Sequence, residues 1–166
     1  LKPVIRIATS NTGDSGANIY PMLFSGTDKK TLPLGSPLQL KHKAGATIQQ
    51  FEEQLNMVYG KYQYAIGNLA KLLSVEIMNP VNCMVGVMKR VNIPKKYGME
   101  AVELFKAQYG EEPCTAHDLY YGISEVVFML EVNGEEGSRV SAMEEKVGRA
   151  LGVNWGDYDF AGEVKW

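Results

Sequence analysis

Two cysteines and two histidines are the side chains of this 166-residue chain best suited to metal or nucleophilic chemistry. Cys114-Thr115-Ala116-His117 sets a thiol and an imidazole three positions apart, and Cys83 with His42 would complete four zinc ligands. Only the first pair has a ligand spacing, which favours a core thiol at Cys83 and a first-turn surface imidazole at His117. Cys114 stands just ahead of a helix start, where a thiol pKa is lowered, yet no general base lies at a telling spacing. Ser25-Gly26-Thr27-Asp28-Lys29-Lys30-Thr31 approaches a phosphate loop without meeting its pattern, and Asn11-Thr12-Gly13-Asp14-Ser15-Gly16 reads as a β-turn needing glycine. The acidic residues fall in surface runs such as Glu111-Glu112, Glu135-Glu136 and Glu144-Glu145. No catalytic residue, metal site or cofactor is therefore expected, and the chain reads more as a binding module than as an enzyme.

The basic residues have a more coherent use. Lys29, Lys30, Lys41, His42 and Lys43 cluster in one stretch, and Lys89, Arg90, Lys95 and Lys96 in another. Seventeen Lys/Arg against nineteen Asp/Glu give a net charge of −2, which points to no anionic partner. The total conceals a split. Residues 1–110 hold 13 Lys/Arg against 7 Asp/Glu, whereas residues 111–166 hold 4 against 12. With Tyr64 and Lys71 added, a converged basic half has the ingredients of non-specific single-strand binding: cations along a backbone and an aromatic platform. Arg6 and Arg90 are the arginines of that half, so bidentate phosphate contacts would be few. The same split also permits pairing of opposite surfaces, within the fold or between copies.

These residues need elements to position them. Val4, Ile5 and Ile7, then Ile19, Tyr20, Met22, Leu23 and Phe24, flank a turn-rich stretch and predict an antiparallel strand pair. Residues 25–38 read as loop, and Leu38–Lys43 as a short alternating strand. A long helix is expected from Thr47 to Leu73, about 40 Å in length, with Ile48, Phe51, Leu55, Val58, Tyr62, Ile66, Leu69 and Leu73 as its apolar stripe. Thr47 and Gln50 fit a capping box. Gly60, Tyr64, Gly67 and Lys71 occupy its outer face, where each glycine costs about 1 kcal/mol and is explained by close approach of another helix.

Asn79-Pro80 opens a second helix, apolar nearly all round and closed by Lys89 and Arg90. A third is expected over residues 98–109. A fourth starts at Thr115 with Asp118 at N3, and a fifth starts at a Ser141–Glu144 capping box, although Val140 fits the helix as well. The tail, Trp155 to Trp166, is aromatic enough to dock. The fold class is α+β: a small N-terminal antiparallel sheet, then a helical body with one long central helix. A single domain is expected over residues 1–166, in which residues 1–46 are β-rich, residues 47–152 are helical and residues 153–166 form a tail. Leu1 running into Pro3-Val4-Ile5 looks like a cut within a longer chain. Two cysteines suit a reducing compartment, and no apolar run nears the roughly 20 residues that span a bilayer.

The order Arg6-Ile7-Ala8-Thr9-Ser10-Asn11-Thr12-Gly13, Leu40-Lys41-His42-Lys43-Ala44-Gly45, a long helix, Asn79-Pro80, Ile93-Pro94-Lys95-Lys96 and Thr115–Glu125 is distinctive. Over most of its length the chain resembles the C-terminal portion of the phage/plasmid-like protein family, the domain of unknown function nine hundred and thirty-two. The resemblance implies a protein of phages, plasmids or integrated elements, in the cytoplasm of a bacterial host, and brings no catalytic residue. The first expectation is a non-enzymatic module that binds single-stranded nucleic acid through Lys29, Lys30, Lys41, His42, Lys43, Tyr64, Lys71, Lys89, Arg90, Lys95 and Lys96. The alternatives are a homo-oligomeric assembly domain using the Gly60/Gly67 face, or an accessory portion of an enzyme whose chemistry lies in an N-terminal half. No membrane partner is expected.

Overall fold

The computed structural model describes residues 2–8, 17–27, 30–33, 38–40 and 48–166. It is α+β, with a small antiparallel sheet followed by a helical body. By contacts it divides into two units, Leu1–Gly67 and Asn68–Trp166. The long helix thus belongs mostly with the sheet, and the charge split at Gly110 falls inside the second unit. No described helix is long and apolar enough to cross a membrane.

In the first unit β1 (Lys2–Ala8) pairs with β2 (Ala17–Ser25) in register Val4↔Met22 and Arg6↔Tyr20, as the two apolar runs predict. The other edge of β2 takes β3 (Lys30–Pro33) against Met22–Ser25 and β4 (Leu38–Leu40) against Ala17–Ile19. Pro21, opposite Ile5 on the β1 side, sits between those two pairings on the other edge. The strand β3 corrects the expected loop. Its Leu32 is fully buried, and four residues paired on one edge leave no alternation long enough to read. Across β1 and β2 the Arg6 guanidinium lies 4.5 Å from the centre of the Tyr20 ring, a cross-strand cation–π pair.

Helix α1 (Ile48–Lys71) runs on into a 3₁₀ turn, Leu72–Ser74. The Tyr62 hydroxyl donates to the Met22 carbonyl at 2.8 Å, which ties the helix to the centre of the sheet. Its buried residues are Val58, Tyr62, Ala65, Leu69 and Leu72, whereas Ile66 and Leu73 are exposed. The stripe expected from spacing is therefore one position out at its C-terminal end. The step from Tyr62 to Ala65 stays nearer the buried meridian than the step to Ile66, and the tighter 3₁₀ turn then rotates Leu73 outward. Thr47 lies outside the described residues.

The second unit is built around α4 (Ala116–Val132), whose Leu119, Tyr120, Ile123, Val126 and Leu130 are all buried. Helix α3 (Lys95–Tyr109) and helix α5 (Gly137–Arg149) pack on it, and α2 (Pro80–Arg90) packs on α3. A two-residue ladder between β5 (Glu76–Ile77) and β6 (Cys114–Thr115) leads into α4. The Thr115–Asp118 capping box forms as read: Asp118 N–H donates to Thr115 Oγ1 at 3.2 Å and Thr115 N–H to Asp118 Oδ2 at 3.0 Å. Two helix starts differ from expectation. Helix α3 begins directly after Pro94, and α5 begins one turn before Ser141, so that buried Val140 joins Met143 and Val147 on one face.

The tail docks on α2. A 3₁₀ turn, Trp155–Tyr158, buries the Trp155 indole, which donates to the Ala150 carbonyl at 3.0 Å. Tyr158 lies against Gly86, where an added Cβ would sit 2.8 Å from its ring, and Trp166 occupies the space beside Gly98. Asn79 holds the N-cap position, but its side chain does not cap. The Asp159 carboxylate does so instead, accepting from Met78 N–H at 3.0 Å, Asn79 N–H at 2.7 Å and Asn79 Nδ2 at 2.9 Å.

Candidate functional site

Lys89, Arg90, Lys95 and Lys96 are brought together by the way α2 ends. Asn92 takes a left-handed conformation at φ 61°, Asn92 N–H donates to the Lys89 carbonyl at 3.1 Å, and Ile93 N–H donates to the Met88 carbonyl at 2.9 Å. This is a Schellman closure with buried Ile93 and Met88 as its apolar partners. Pro94 then starts α3 at once. The last turn of one helix and the first turn of the next thus present four exposed cations around one short turn. Lysine and arginine in the last turn of α2 also face its negative end, the local reason for finding them there.

Beside this turn, an open cleft of about 380 Å³ separates α2 from the tail. Asn82, Gly86, Lys89 and Arg90 form its helix side, and Tyr158, Phe160 and Val164 form its tail side. Polar side chains of α2 hold the tail by its main chain. Asn82 Nδ2 donates to the Phe160 carbonyl at 2.7 Å and the Gly162 carbonyl at 2.5 Å, and Lys89 Nζ donates to the Lys165 carbonyl at 2.8 Å. Phe160 remains 55% exposed, and Lys96 lies 5.6 Å from the Tyr97 ring centre. A second opening of about 290 Å³ lies at the other end of α2, between Asn79, Asn82, Glu111 and Gly162 among others.

The remaining basic residues belong elsewhere. Lys30 opens β3 opposite Ser25 in the first unit, and Tyr64 on α1 is 72% exposed. Lys71 is the exposed last residue of α1. Lys29, Lys41, His42 and Lys43 lie outside the described residues. Sequence reading did not single out Asn82, Gly86, Tyr158 and Phe160 for the site. One signal was available: Gly86 is a glycine inside a helix otherwise apolar nearly all round, a pattern that marks the close approach of another group.

The thiols are poor nucleophiles. Burial pushes Cys83 up to about 12, with the Asp159 and Cys114 charges adding to it, and its Sγ donates to the Trp155 carbonyl at 3.4 Å. Burial also pushes Cys114 up to about 11, and the Asp118 and Asp159 carboxylates raise it further. The lowered Cys114 pKa expected from its place before α4 is thus reversed. The Asp118 carboxylate that caps the helix offsets the positive end of its dipole. Partial burial pulls the His117 imidazole below its usual range against the opposing pull of Asp118, and the ring lies 4.9 Å from that of Tyr121. Among the described residues no three His, Cys, Asp or Glu side chains come together as metal ligands. No family model, curated protein sequence or solved structure matches the chain.

Proposed function

We propose that this chain is a non-enzymatic interaction module for single-stranded nucleic acid, in a bacterial cytoplasmic protein of the phage/plasmid type that it resembles. The observation that carries this reading is the gathering of Lys89, Arg90, Lys95 and Lys96, all exposed, around the turn between α2 and α3. Cations held at fixed helix ends meet a phosphate backbone without reading sequence, and they release its counterions. The basic stretch from Lys29 to Lys43 and the exposed Tyr64 supply the same chemistry in the first unit.

The test is binding of labelled single-stranded DNA across a salt series. Affinity falls steeply with salt for the unaltered chain, and the slope drops by about 2 when Arg90→Glu, Lys95→Glu and Lys96→Glu are combined, since single strands give about 0.7 per phosphate contact. Lys41→Glu with Lys43→Glu weakens binding in the same manner. A chain that retains no strand at low salt overturns the reading.

A second reading, self-association, is favoured by one observation. Met57, Gly60, Tyr64 and Gly67 share one exposed face of α1, and no described atom lies within 4 Å of a Cβ built at either glycine. Two copies of that face could approach closely. The mass of the chain then rises with concentration, and Gly67→Trp lowers it; a monomer at every concentration excludes this reading.

A further inference from the structure

The cleft between α2 and the tail has features that a bare cluster of cations does not require. Its volume of about 380 Å³ lies at the lower end of the range for small-molecule sites, room for one base with its sugar and phosphate and not for several. One wall is aromatic: Tyr158, its ring held against the helix by Gly86, and Phe160, more than half exposed. The wall is fixed in place by the two hydrogen bonds from Asn82 to the tail carbonyls.

The rim is cationic and ordered. Lys89 Nζ spends one of its three donors on the Lys165 carbonyl, so the ammonium is positioned with two donors in hand. Arg90 has no acidic partner among the described residues, which leaves its planar fork for a phosphate. The acidic residue that follows Tyr158 is turned to other use. Asp159 accepts from the backbone at the start of α2, at the end of the helix away from Lys89.

We infer that this cleft holds one nucleotide of a bound single strand, with its base against the Phe160 and Tyr158 rings and its phosphate on Arg90. The inference rests on the nucleic-acid reading above and assigns that reading a stacking site. Bases of every kind have a π face, so the site tolerates any sequence.

The probe is a fluorescein-labelled oligo(dT) strand of about ten nucleotides, titrated into the full chain. Phe160→Ala is expected to lower affinity about tenfold with an unchanged salt slope, because the lost contact is uncharged. Phe160→Leu, which keeps apolar bulk and loses the ring, lowers it nearly as much. Arg90→Gln lowers affinity and also reduces the salt slope by about 0.7. If both Phe160 variants bind as the unaltered chain does while the triple charge reversal abolishes binding, the stacking site is overturned and the broader reading survives. If the unaltered chain does not bind the strand at low salt, both fall. Poly-glutamate that displaces the strand equally well from the chain and from Phe160→Ala also overturns the inference, by reducing the cleft to its two cations.

Discussion

Gly60 and Gly67 of α1 and Gly86, Gly98 and Gly122 of α2, α3 and α4 all lie inside helices and face opposite surroundings. Gly60 and Gly67 have open space where a side chain would be, whereas Gly86, Gly98 and Gly122 each have an aromatic ring pressed into that space. A glycine inside a helix costs about 1 kcal/mol relative to alanine wherever it occurs. In the second unit the cost is offset, because Tyr158, Trp166 and Phe105 approach more closely than a Cβ would permit. On the described face of α1 nothing offsets it. One set of helices is therefore finished by its own chain, and the other keeps a face bearing Tyr64 and Met57 that no described residue covers.

The largest expected effect that would break this contrast is at Gly122. Its added Cβ would stand 2.9 Å from the Phe105 ring and 3.3 Å from the Met84 methyl, both on buried side chains. Gly122→Ala should destabilise by about 1–2 kcal/mol, the overpacking cost less the gain in helix propensity, as read from the urea midpoint. An unchanged or raised midpoint would mean that the Phe105 packing is soft. Gly98→Ala tests the same point with less force, because Trp166 lies at the end of the tail and can turn aside.

Next in size, and opposite in sign, are Gly60→Ala and Gly67→Ala. With open space at both, each should stabilise by up to about 1 kcal/mol and raise the midpoint. A loss of stability together with a smaller mass by sedimentation would show that a second copy fills the face.

The smallest effect concerns acid and the Asp159 cap. A hydrogen bond from Met78 N–H holds this carboxyl below its ordinary range; burial opposes it, and bonds from the Asn79 side chain and N–H add to the lowering. The unfolded chain therefore takes up the proton first. The cap contributes its full stabilisation above an ordinary carboxylate pKa of about 3.9 and loses it as pH falls through the lower folded value. Because the group is largely in water, the effect is slight. Asp159→Asn should lower the midpoint at neutral pH and flatten its decline in acid; an identical acid profile in both proteins would show that the cap does not couple to folding.

Much of the fold was legible because it is local. The antiparallel pair follows from two β-rich runs about a turn, and the α4 start follows from Thr115 and Asp118 three positions apart. The closing of α2 by Lys89 and Arg90 was equally plain. Leu32 and the starts of α3 and α5 were misplaced for the converse reason: a four-residue strand and helix starts without a capping side chain leave no periodic trace. Half of the candidate site was legible, as the four cations near one turn. The aromatic half was not. Tyr158 and Phe160 reach α2 across more than seventy positions, and only Gly86 hinted at where they would land.

The sequence by itself determined the α+β class, the presence of the helices and the charge clusters, since propensity, period and capping act within a few residues. Tertiary structure alone decided that Asp159 caps α2, that Asn82 and Lys89 hold the tail by its carbonyls, and that Cys114 is a sluggish thiol. The hydrogen bonds among those outcomes join segments 76 to 81 residues apart, and the Cys114 shift needs burial and the distant Asp159, separations at which the pattern of side chains along the chain carries no register.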